Sequence, residues 1–150
     1  MNLRTFLSEG LSKEIMLIEP QLMYNETGDR FIAIISKSGK KVNVKYITGQ
    51  KTIQDMADQA KDLVDKNNIN TVIVNVGYYG ISYTMFAKTL ADVDVKIIPL
   101  KGYSKNVDYT AQEYMDIVND KVNFSGSGLE KTWKTFLGYM AIELSKQYIG

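Results

Sequence analysis

The chain has 150 residues, 45% of them hydrophobic and 23% charged, a composition that supports a folded core of one domain and excludes a disordered chain. Its 18 Lys and Arg against 17 Asp and Glu leave a net charge of +1, so there is no global basic field, and nucleic-acid binding has to be local. The absence of Cys and His excludes disulfides, thiolate metal sites, cysteine nucleophiles and Ser-His-Asp triads, which leaves hydrolytic chemistry to carboxylates, a metal ion, Lys or Tyr.

Residues 1–12 read as a lead-in segment, with Leu3, Phe6 and Leu7 at helical spacing before Gly10. They lack the apolar core of a signal peptide, and the longest apolar runs, Ile15 to Ile18 and Phe31 to Ile35, fall far below the roughly 18 residues of a membrane span. No membrane association and a cytoplasmic location are therefore expected.

Glu14 to Glu19 is a compact apolar run stopped by Pro20, as in a strand buried on both faces. Phe31 to Ile35 forms a second strand, and Val42, Val44 and Tyr46 alternate with polar neighbours in a third. Ser38-Gly39 joins these two as a tight hairpin.

The period then changes from 2 to 3.6. Thr52 and Asp55 make a capping box for a helix whose apolar face is Ile53, Met56, Ala57, Ala60, Leu63 and Val64, ending at Asn67-Asn68. Thr71 to Val76 is a buried strand, followed by the turn Gly77-Tyr78-Tyr79-Gly80, a helix from about Ser82 to Leu90, and a fifth strand over Val93 to Leu100. A helix capped by Asp108 carries Ala111, Tyr114, Met115 and Val118. A last one carries Leu129, Trp133, Phe136, Leu137, Met140, Leu144 and Tyr148.

Three antiparallel strands followed by two parallel strands, with helices on both faces, describe an α/β fold with a mixed sheet. Among common folds this is the order of the ribonuclease H-like domain. A doubly wound nucleotide-binding fold alternates strand and helix from its start, which the early hairpin contradicts.

Three stretches resemble the C-terminal nuclease domain of tailed-phage terminase large subunits. They are Ile18-Glu19-Pro20 with Gly28-Asp29-Arg30-Phe31, the strand Val72 to Val76 running into Gly77-Tyr78-Tyr79-Gly80, and the loop Lys101-Gly102-Tyr103-Ser104-Lys105-Asn106. The resemblance implies a carboxylate cluster that holds Mg²⁺ or Mn²⁺ for phosphodiester cleavage. It assigns catalytic roles to Glu19, Asn75 and Glu130, metal ligation to Glu19, Asp29 and Asn75, and DNA contacts to Lys101 and Lys105, to which the aromatic pair Tyr78 and Tyr79 adds stacking on a base or sugar. It also implies double-stranded DNA as partner, with an ATPase motor, a portal or another viral protein alongside, in the cytoplasm of an infected bacterial host.

The match to that cluster departs in places. Glu19 stands where the family has Asp, the neutral Asn75 stands where it has an acid, and Glu130 is only the nearest candidate for the last Asp. Each residue also has a structural reading: Glu19 as a solvated strand end, Asp29 as turn chemistry, Asn75 as a backbone partner, and Glu130 as the end of a Ser127 capping box. Tyr78 and Tyr79 suit partial burial as well as base stacking. Lys37, Lys40, Lys41 and Lys45 read as a solvated sheet edge or as a DNA track. Three functions are weighed: a DNA-packaging nuclease with weak or lost cleavage, a non-enzymatic ribonuclease H-like binding or regulatory protein of viral origin, and a small-molecule domain using the turn at Gly77 to Gly80.

Overall fold

The computed structural model describes residues 13–20, 30–67, 69–76, 81–100 and 111–150. Among these, six strands and four helices follow in order: β1 (Glu14–Glu19), β2 (Phe31–Ser38), β3 (Lys41–Ile47), α1 (Ile53–Asn67), β4 (Thr71–Asn75), α2 (Ile81–Thr89), β5 (Lys96–Leu100), α3 (Gln112–Lys121), β6 (Val122–Ser125) and α4 (Lys131–Tyr148). One sheet holds all six strands in the order β5-β4-β1-β2-β3-β6.

The expected centre is present. β1 pairs parallel with β4 and antiparallel with β2, and β2 pairs antiparallel with β3 through the hairpin at Gly39, whose φ of 62° suits a residue without Cβ. Uninterrupted apolar character in β1 and β4 is explained by cover on both faces. Ile15, Leu17 and Ile73 belong to one core with Val118 of α3 and Phe136, Leu137 and Met140 of α4. Met16, Ile18, Val72 and Val74 belong to the other, with Met56, Ala57 and Ala60 of α1 and Phe86 of α2.

Several boundaries differ from expectation, each for a local reason. The fifth strand starts at Lys96 rather than Val93, because residues 90–95 are spent in turns such as Val93 N–H to Leu90 C=O at 3.2 Å. It is an edge strand, which is where Pro99, lacking a ladder donor, is tolerated. The helix expected to be capped by Asp108 begins at Gln112, and its N-cap is Ala111, in extended backbone without a side-chain cap. A sixth strand was not expected. β6 leaves α3 without a loop and pairs parallel with β3, Val42 with Val122 through Lys45 with Ser125. The lysine-bearing hairpin therefore does not guard an open edge of β3, and that part of the expectation is corrected. Residues 1–12, including the expected lead-in helix, lie outside the described residues.

Candidate functional site

Parallel pairing of β1 with β4 in the register Met16 with Val72 and Ile18 with Val74 carries the next residues, Glu19 and Asn75, to the carboxyl ends of adjacent strands. Alternation fixes their face: Ile15, Leu17 and Ile73 enter the core under α3 and α4, so Glu19 and Asn75, two residues on, share that side. Both are enclosed, at 5% and 9% exposure. Glu19 is thus not the solvated strand end of the structural reading. In such a setting a carboxylate beside a neutral amide is tolerated far better than two adjacent carboxylates without a cation.

The amino end of α4 reaches the same end of the sheet. The β6–α4 connection is held to the end of β3: Thr48 Oγ1 donates to Ser127 C=O at 3.0 Å, and a Cβ at Gly126 would lie 2.6 Å from the Tyr46 carbonyl oxygen. From there α4 runs down the sheet to Ile149, whose C=O accepts from Lys37 Nζ at 3.4 Å. The expected Ser127–Glu130 capping box does not form. Positive φ at Gly126 and Gly128 keeps the turn out of the helix, so Glu130 is itself the N-cap, with φ −65° and ψ 151°. Its carbonyl accepts from Lys134 N–H at 2.9 Å, while its exposed side chain makes no cap bond. The first turn holds no acidic residue. It carries Lys131 and Lys134 instead, the latter 4.9 Å above the Phe124 ring.

Arg30 is a residue of this end whose role was not read from the sequence. Its Nε donates to Pro20 C=O at 3.2 Å, and its Nη1 donates to the carbonyls of Gln50 at 3.2 Å and Lys51 at 2.8 Å. One guanidinium thereby ties the residue after Glu19 to the connection between β3 and α1. The available signal was an Arg beside a Gly-Asp turn directly before a buried strand.

The structure therefore brings Glu19 and Asn75 together and sets Glu130 at the same end of the sheet, on the starting turn of the helix that covers that face. Asp29, Tyr78, Tyr79, Lys101 and Lys105 lie outside the described residues. Among the described residues no group of three or more acidic side chains is placed to hold a metal ion. By themselves the described residues of this end, one buried carboxylate, one amide and a helix start bearing two lysines, fit a pair of divalent cations poorly, because hard cations bind through several anionic oxygens. Among the described residues no helix is long and apolar enough to cross a membrane.

No family profile matches the chain, and no curated protein matches it. Solved structures do. RuvC of T. thermophilus, in complex with Holliday junction substrate, superposes with a TM-score of 0.56 at 6% identity, covering 92% of this chain and 99% of that one. The nuclease domain of the large terminase subunit gp2 of bacterial virus Sf6 gives a TM-score of 0.48 at 12% identity, over 88% of this chain and 71% of that domain, and a variant of it with manganese gives 0.47. The sheet order and the RuvC superposition establish a ribonuclease H-like fold.

Proposed function

We propose that this chain is a terminase-nuclease-like domain of viral DNA packaging that engages double-stranded DNA and cleaves it weakly or not at all. The observation that carries the reading is the position of Glu19 and Asn75, next after the Ile18–Val74 pair, at the carboxyl ends of adjacent strands β1 and β4 in a ribonuclease H-like sheet. Strand ends of this kind suit metal-held carboxylates, and here one of the two positions carries a neutral amide. Mg²⁺ or Mn²⁺ is the cofactor implied, held weakly. Lys101, Lys105, Tyr78 and Tyr79 are the proposed DNA contacts, and an ATPase motor, portal or other viral protein the proposed assembly partner, in the cytoplasm of an infected bacterium.

A second reading, a non-enzymatic binding or regulatory protein on the same scaffold, is favoured by the first turn of α4, where lysines stand and no acid does. Lysines at that position attract phosphate without activating water. One experiment separates the two. Supercoiled plasmid and a four-way DNA junction, the latter because the RuvC structure holds such a substrate, are incubated with Mn²⁺ and the native protein, Glu19→Ala or Asn75→Asp. Slow cleavage that Glu19→Ala abolishes and Asn75→Asp accelerates, or cleavage gained only in Asn75→Asp, supports the weakened or silenced nuclease. No cleavage by any variant, with DNA binding retained, supports the binding protein. Efficient cleavage by the native protein refutes both.

A further inference from the structure

The β2–β3 hairpin and the carboxyl-terminal turns of α3 and α4 meet at the end of the sheet opposite Glu19. Since Glu14 pairs with Ser36 while Glu19 pairs with Phe31, Lys37 sits about six residue rises from Glu19, roughly 20 Å along the strands. There a cavity of about 220 Å³ is lined by Lys37, Lys40, Lys41, Lys121 and Lys146, together with Val42, Ile142 and Ser145. Among the described residues no carboxylate lines it. In a chain whose net charge is only +1, five lysines among the residues lining one cavity are a strong local concentration of positive charge.

Structural duties account for some of this charge. Lys37 donates to the Ile149 carbonyl at the end of α4, Lys146 lies 3.6 Å from Glu143, and Lys121 and Lys146 each sit in the last turn of a helix, where the dipole favours a cation. Lys40 and Lys41 have no such duty. Edge protection does not explain them, because β6 already covers β3 beside them. Among the described residues, none of Lys40, Lys41 and Lys121 forms an ion pair or side-chain hydrogen bond. All three are exposed.

We infer that this basic cavity is a phosphate-binding site, separate from the Glu19 end, that takes the backbone of duplex DNA. Lysines contributed by a hairpin and two helices spread charge over more than one phosphate, which suits a polymer better than a single anion. The choice of DNA as occupant rests on the function proposed above; the site itself rests on the lysines. It gives the domain two separated contacts, so that a duplex gripped here is positioned independently of the Glu19 end.

The test is fluorescence anisotropy of a labelled duplex in EDTA, across a series of salt concentrations, for the native protein and the Lys40→Gln/Lys41→Gln/Lys121→Gln variant. The variant is expected to bind about tenfold or more weakly, with the slope of log affinity against log salt reduced by about 0.9 for every phosphate it no longer neutralises. Inorganic tripolyphosphate, as competitor, is expected to displace the duplex only at much higher concentration. Acetylation footprinting of the native protein guards against a misfolded variant: duplex should protect Lys40, Lys41 and Lys121. Unchanged affinity and slope in the variant, protection confined to Lys101 and Lys105, tight tripolyphosphate binding without duplex binding, or no binding of either ligand would each overturn the inference. Protection confined to Lys101 and Lys105 overturns it while leaving the DNA reading intact, and failure of plasmid cleavage leaves this site unaffected.

Discussion

Asn75 and Arg30 show how single residues set the character of the Glu19 end. Restoring an acid with Asn75→Asp places two carboxylates side by side in an enclosed setting, where like charge and burial both oppose ionisation. The variant is expected to melt below the native protein in EDTA and to recover with Mn²⁺, since a ligand bound only by the folded state stabilises it. A melting curve indifferent to Mn²⁺ would argue that the two side chains do not face a common cation position. Arg30→Ala removes a charged donor from three backbone carbonyls and is expected to cost about 1.5–3 kcal/mol in urea unfolding. Arg30→Lys should restore only part of this, because an ammonium lacks the planar fork that reaches Pro20 and Lys51 together; full rescue by Lys would show that charge alone matters.

At the level of elements, α4 is packed too closely for any added atom at Gly138. A Cβ there would lie 2.4 Å from Val118 Cγ1 and 2.9 Å from Phe124 Cζ, so α3 and β6 approach the helix through this position. Gly138→Ala is expected to destabilise by about 1–3 kcal/mol through overpacking, even though Ala gains about 1 kcal/mol in helix propensity. Val118→Ala in the same chain should return part of the stability, and a stabilised Gly138→Ala protein would contradict the packing. The Lys61–Asp92 pair, 2.9 Å apart, ties α1 to the turn after α2. Their hydrogen bond raises the Lys61 ammonium and holds the Asp92 carboxyl below its ordinary value. The Asp92 contribution is therefore present above the unfolded carboxyl value and fades as pH falls through the lowered folded one. Asp92→Asn should lower the melting temperature slightly at neutral pH and low salt, with the difference vanishing in acid and in concentrated salt; a difference that persists in acid would point to packing instead. These elements also mark what the sequence made legible. Buried runs such as Ile15 to Ile18 and Val72 to Val74 announce themselves by continuous apolar character, and the Thr52 cap by its residue type, with Asp55 N–H donating to Thr52 Oγ1 at 3.0 Å. Four-residue β6 follows α3 with no turn residue between them, so only the weak alternation of Val122, Asn123, Phe124 and Ser125 signals it. The start of α4 depended on glycine φ values, which residue identity alone does not state.

Across the whole molecule, the parallel pairing of β1 with β4 gathers Glu19 and Asn75 at one end of the sheet, and the hairpin with the ends of α3 and α4 gathers lysines at the other. The first gathering was legible because strands ending in Glu19 and Asn75 had to be neighbours in this fold; the second depended on β6 and on the direction of α4, neither of which periodicity reveals. If the Glu19 end holds too little negative charge for two divalent cations, calorimetric titration of Mn²⁺ into the native protein shows it most directly. Weak heats with no saturation at two ions per chain are expected, with saturable binding in the Asn75→Asp variant. Tight, stoichiometric uptake of two ions by the native protein, abolished in Glu19→Ala, would contradict this.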